Sequence, residues 1–154
     1  MKHSILLAFF LFSVFVLRAQ KEEDPILLSH FWNDFKIALN TKDVDKLADL
    51  IKFPFGCAIC DPLIDEAHPY VLISKKLFKE GQYQIFFKQR LIEMVNKYQM
   101  PKDIGIFNSR INESSKNWMY SFSFVASDSP GRQVFFEVEK VKGKFKIRWV
   151  WTVP

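Results

Sequence analysis

The sequence predicts an α+β fold, a curved antiparallel sheet with three N-terminal helices packed on its concave aromatic face. Three observations lead there. Gln133 to Trp151, QVFFEVEKVKGKFKIRWVW, has the composition of a β-hairpin folded about Lys142-Gly143. Before it, Trp118 to Ser127 alternates rings with small or polar residues, as a half-buried strand does. The first half of the chain instead repeats its apolar residues at helical spacing. With 154 residues, 49% of them hydrophobic, and 17 Phe, the chain can build one well-packed domain.

The N-terminus has a different pattern. Met1-Lys2-His3 is a short positive start, Ile5 to Leu17 is apolar apart from Ser13, and Ala19 offers a small residue for cleavage. That is the layout of a secretory signal peptide, so residues 1–19 are expected to be removed and 20–154 to form the domain. An apolar run this short spans about 20 Å as a helix, less than the roughly 30 Å hydrocarbon core. No stable membrane anchor is expected after cleavage, and the predicted location is secreted or periplasmic. Without Lys2 and Arg18 the formal charge falls from +5 to +3, with acids interleaved among the bases. This balance argues against a nucleic-acid partner.

Asp24-Pro25 starts the first helix, with a capping carboxylate followed by proline in the first turn. Leu28, Phe31, Trp32, Phe35, Ala38 and Leu39 form its buried stripe. Asp43 caps a short second helix that stops near Lys52, because Pro54 holds Phe53 extended. Phe53-Pro54-Phe55 reads as an edge strand and Tyr70 to Ile73 as another, with the loop around Cys57 and Cys60 between them. Ser74 caps a third helix that continues through Tyr83, Phe87, Leu91, Met94 and Tyr98 to Pro101.

Strands follow, at Ile104 to Ile111, Trp118 to Ser127 and the closing hairpin. An even-length turn sets Val138 opposite Ile147, Phe136 opposite Trp149 and Val134 opposite Trp151 on the inner face. The same register sets Glu139 opposite Lys146 and Glu137 opposite Arg148 on the outer face, each pair contributing roughly 0.2–1 kcal/mol. A one-residue slip would mix the faces. In the neighbouring strand, Phe124 is expected opposite Phe136 and Phe122 opposite Val138.

Phe31-Trp32-x-x-Phe35 with Ala38-Leu39, Asp43 leading into Phe53-Pro54-Phe55, Ile73-Ser74-x-x-x-Phe78 and the hairpin about Lys142-Gly143-Lys144 occur in an informative order. Together they resemble the nuclear transport factor 2-like superfamily, the α+β cone that includes ketosteroid-isomerase-like enzymes. The resemblance covers nearly the whole chain after residue 19. It implies a cone with an aromatic interior, and sheet-to-sheet dimers, which are common in that superfamily. No acid–base pair of the isomerases matches a position here, and members of one fold differ widely in function.

Cys57 and Cys60 are the two cysteines, and a local disulfide in an oxidising compartment is expected for them. Asp61-Pro62 follows at once, an acidic setting that would raise the thiol pKa rather than prepare a redox centre. His68 and Asp65 offer metal-ligand types without a second pair at standard spacing, so neither a metal nor a cofactor is assigned. His30, Asp34 and Asp49 read as helix-surface residues. Tyr120 and Lys140 fall opposite each other on the inner face and, with Trp118 and Trp149, define the expected ligand pocket, suited to a small apolar or aromatic ligand. On the outer face, Val125, Phe135 and Val150 align as an apolar row that no helix remains to cover, which suggests a homodimer face. The functional expectation is a secreted, non-catalytic domain that binds a small ligand or a protein. The competing expectation is a small isomerase- or dehydratase-type enzyme with an acid–base pair inside the cone.

Overall fold

Helix α1 covers residues 25–41, with Pro25 in its first turn, where a missing N–H costs nothing. Its end is closed by a left-handed Lys42 (φ 51°) and a bond from the Asp43 N–H to the Ala38 carbonyl at 3.0 Å. The computed structural model describes residues 25–60, 70–104, 106–114, 118–125 and 133–153. The expected signal segment 1–19, the Asp24 cap, Asp65 and His68 lie outside these described residues. No helix among them is long and apolar enough to cross a membrane.

The predicted stripe of α1 is its buried face. Leu28, Phe31, Trp32, Phe35, Ala38 and Leu39 are all buried. The Trp32 Nε1–H donates to the Tyr98 carbonyl at 3.1 Å, and its ring meets Phe122 edge-on at 5.4 Å. That one side chain ties the first helix to a later helix end and to the sheet. Asp43 caps helix α2, Val44–Asp49, by accepting from the Lys46 N–H at 3.0 Å. Ser74 does the same for α3, Lys75–Glu80, accepting from the Leu77 N–H at 3.2 Å.

The expected long third helix is divided. It stops at Gly81 (φ 156°), continues as a 3-10 turn at Gln82–Ile85, and resumes after an extended Lys88 as α4, Gln89–Lys97. Of the predicted stripe Leu91 is buried while Tyr83, Phe87, Met94 and Tyr98 are half-buried, because the breaks re-phase the helix and turn Phe78, Phe86, Ile92 and Val95 to the core instead.

Six strands form one sheet: β1 Ile51–Cys57, β2 Val71–Ile73, β3 Ile106–Ile111, β4 Trp118–Val125, β5 Gln133–Val141 and β6 Lys144–Val153. Their order is β2-β1-β6-β5-β4-β3. Two corrections follow. The sheet is mixed, because β1 runs parallel to β6 while the other pairs are antiparallel. The strand at Phe53-Pro54-Phe55 is not an edge. It lies between β2 and β6, and Pro54, which has no N–H to give a ladder, falls where the β1–β6 register shifts.

The hairpin turns at Lys142-Gly143, both at positive φ (49° and 77°), as a two-residue type I′ turn requires. Val138 faces Ile147 and Glu139 faces Lys146, as the sequence predicts. Beyond that point the register changes. Val138 pairs with Ile147 but Glu137 pairs with Trp149, so Arg148 is an extra residue, a β-bulge. Phe136 therefore pairs with Val150, not Trp149, and Val134 with Thr152, not Trp151. Trp149 lies on the opposite side of the sheet from Phe136, and Val150 takes its expected place in the core. The neighbouring register is also two residues from expectation, with Phe122 opposite Phe136, Phe124 opposite Val134 and Tyr120 opposite Val138. An even shift preserves facing, which is why the aromatic inner face survives it.

Candidate functional site

The inner face of the sheet is filled by rings. Phe136 meets Phe122 at 5.5 Å, Phe35 at 6.1 Å and Phe86 at 6.2 Å, and Phe55 meets Phe78 at 5.9 Å. Separations of this size are those of packed aromatic pairs. Trp32, Phe35, Phe55, Phe78 and Phe86 have no exposed surface. Among the described residues, the buried carboxylates are Glu137 and Glu139, and both lie on the outer face.

The four residues of the expected pocket do not come together. Trp149 is on the outer face, where its ring covers Gly56 and meets Tyr70 edge-on at 4.6 Å. A Cβ at position 56 would sit 2.1 Å from that ring, so glycine is what permits the approach. Trp118 is placed by register alone, opposite Ile111 in β3. Tyr120 is half-buried, stacked on Phe107 at 5.4 Å and edge-on to Phe145 at 5.2 Å. Lys140 pairs with Phe145. Tyr120 and Lys140 thus converge on Phe145 at the hairpin end.

Phe145 is also a wall of the open groove. The groove has a volume of about 600 Å3 and lies between α1, α2 and the β5–β6 turn. Leu27, Phe31, Ile37, Leu50 and Phe145 supply its apolar surface. Its rim carries His30 and Asp34 from α1, Lys46 and Asp49 from α2, and Lys144 from the hairpin. Ile37 remains 44% exposed there and extends the apolar surface of the groove. Two of the rim charges have partners. Lys46 reaches Asp43 at 3.7 Å, and Asp49 reaches Lys75 at 3.5 Å. Asp34, His30 and Lys144 have none among the described residues. Sequence reasoning named His30, Asp34 and Asp49 as helix-surface residues and missed their convergence. The available signal was the spacing Leu27, His30, Asp34, Ile37, which puts a second, mixed stripe beside the buried one.

The outer face has its own order. Glu139 is wholly buried, with Lys52 Nζ at 2.6 Å and Arg148 at 3.8 Å. Glu137 accepts from the Arg110 guanidinium at 2.8 Å. These cations come from β1, β6 and β3, so the two carboxylates of β5 draw charge from strands on either side of it along the outer face. Beside them lie the stacked Phe135–Trp151 pair (5.2 Å), Trp149, Tyr70 and the 58%-exposed Leu72. Of the expected dimer row, Phe135 is in this cluster, and Val125 is placed by register alone, opposite Gln133. Val150 is not. It is 1% exposed and faces the core, because the bulge at Arg148 reverses the facing expected for it.

Cys57 and Cys60 form the expected disulfide, with both sulfur-bearing side chains buried.

Helices from the first half of the chain cover one face of the sheet. Its last four strands form a meander, which β6 joins to β1 and β2. This is an α+β fold built on one six-stranded mixed sheet. Among solved structures, the chain is similar to a protein described as a calcium/calmodulin dependent protein kinase II association domain from Xanthomonas campestris. That match has a TM-score of 0.40 and 15% identity, and covers 78% of this chain and 79% of the other. It is also similar to a five-substitution variant of Rd1NTF2_05, at TM-score 0.38 and 12% identity, covering 88% of this chain and 97% of that one. No protein-family model matches the chain, and no curated protein matches it.

Proposed function

We propose that the protein is an exported, non-catalytic binding domain that holds a small apolar-bodied ligand in the groove between α1, α2 and the hairpin, and pairs with a second copy through the outer face of its sheet. One observation carries the binding reading: an open groove of about 600 Å3 with an apolar floor, on a fold whose interior is packed with rings. Clefts of ~300–1,000 Å3 with a few convergent polar groups are where ligands are usually held. Export is supported by the charged start, apolar run and small residue of the first 19 positions, and by a disulfide in the domain that follows. The Phe135–Trp151 pair with Trp149, Tyr70 and Leu72 supports the pairing.

The isomerase-type reading has one observation in its favour: His30 and Asp34, one turn apart, line the same groove. Against it, the buried carboxylates of the described residues are on the outer face and ion-paired.

A neutral fluorescent probe, N-phenyl-1-naphthylamine, tests the groove. It should brighten on binding, and Ile37→Glu should weaken that binding at least about tenfold while leaving the thermal unfolding curve in place. Absence of binding, or equal binding by the variant, would remove the groove as the site. In size-exclusion chromatography, Phe135→Glu should elute later than the parent protein. An unchanged elution volume would remove the pairing.

A further inference from the structure

We infer that the groove takes a zwitterion with an apolar body, and that the ligand class is a short hydrophobic peptide with free termini. The inference rests on the binding reading above and goes beyond it by assigning the charges. Asp34 on α1 and Lys144 on the hairpin belong to different walls of the groove, and neither has an ion partner among the described residues. Lys46 and Asp49, on the third wall, are already engaged with Asp43 and Lys75. The unmatched rim therefore offers one carboxylate and one ammonium, with the His30 imidazole one turn from Asp34 on the same wall.

A ligand body lying over Leu27, Phe31, Leu50 and Phe145 strips water from both groups at once. Covering an unpaired charge is costly unless the ligand returns an opposite one. An uncharged apolar ligand returns neither, and a simple amine or a simple acid returns only one. A ligand carrying both, with its ammonium toward Asp34 and its carboxylate toward Lys144, satisfies both walls, and any ligand lacking one is selected against. Exposed Ile37 extends the apolar floor alongside Asp34, where a second side chain of such a peptide would lie.

Calorimetric titration of the full-length purified protein with the tripeptide leucyl-phenylalanyl-leucine tests this. Its N-acetylated, C-amidated and doubly blocked forms are the comparison arms. The free peptide should bind at least about tenfold more tightly than the doubly blocked one. Asp34→Asn should abolish the penalty for acetylation but retain the penalty for amidation, and Lys144→Gln should do the reverse. If all four peptides bind alike, or the two variants leave the pattern unchanged, the assignment of charges is wrong. The naphthylamine probe separates the two failures. Probe binding that Ile37→Glu weakens, with no discrimination among peptides, leaves the groove standing and overturns this inference alone. Failure of both overturns both.

Discussion

On the inner face of the sheet, Phe122 and Phe136 are buried against Phe35 and Phe86 with no charge among them. One residue along in β5, on the outer face, Glu137 and Glu139 are buried just as thoroughly, each with its cations. The two faces therefore remove water by different means. Rings need only area and close fit, and tolerate a shift of partner as long as the facing is kept. A buried carboxylate needs particular donors, and here they reach β5 from beyond its immediate neighbours β6 and β4. Lys52 from β1 and Arg110 from β3 each cross one strand to meet it. The inner face supplies most of the stability. The outer face ties β5 to the strands two places away on each side.

The largest expected effect tests the inner face. Phe136→Ala should cost about 3–5 kcal/mol, by lost transfer energy and the cavity left among Phe122, Phe35 and Phe86. Urea unfolding would measure it, and a cost below that of any outer-face truncation would break the contrast. Next comes Glu139→Ala, at about 1.5–3 kcal/mol by the same measurement. Lys52 and Arg148 keep partial access to water when they lose their partner, so the loss stays below that of a fully enclosed pair.

The smallest effect concerns the exposed pair that links α2 to α3. The hydrogen bond from Lys79 holds the Asp45 carboxyl below its ordinary value of 3.8, and Asp45 holds the Lys79 ammonium above its ordinary value of 10.5. A depressed acid contributes stability above its unfolded value and loses it as pH falls through the folded one. A raised base contributes below its unfolded value and loses it as pH rises through the folded one. Asp45→Asn should thus lower the melting temperature slightly between about pH 4 and 10, and the difference should shrink as pH falls below that range. Both groups are fully exposed, so the difference should also shrink in 1 M salt. A difference that stays constant as the pH is lowered would assign it to something other than this pair.

Much of the fold was legible because some residues permit little choice. Lys142-Gly143 lies between two alternating runs and marks the turn, and the α1 stripe is a clean helical repeat. The Glu139–Lys146 register was readable too, although the cation nearest the carboxylate is Lys52. Its position depends on the parallel β1–β6 pairing, which no local pattern announces. The bulge was hidden because Trp149, Val150 and Trp151 are all apolar, so either alternation gives an apolar inner row. Gly81 and Lys88 interrupt the third helix while its buried positions continue past them. The groove was illegible for a different reason. Asp34 and His30 are ordinary helix-surface residues until the hairpin tip is brought across from them, and that depends on the assembled sheet.

Arg148 acts on β6 as a single inserted letter acts on a reading frame. Everything before it is read in one phase and everything after in the other, so two indoles are turned outward and one valine inward without any change in their own identities. A β6 that kept Arg148 in the ladder opposite Glu137, with no bulge, would have the same composition of rings and the same hairpin, yet would press two tryptophans into a core already full. The bulge in β6 is therefore as much a part of the fold's specification as the hydrophobicity of its residues.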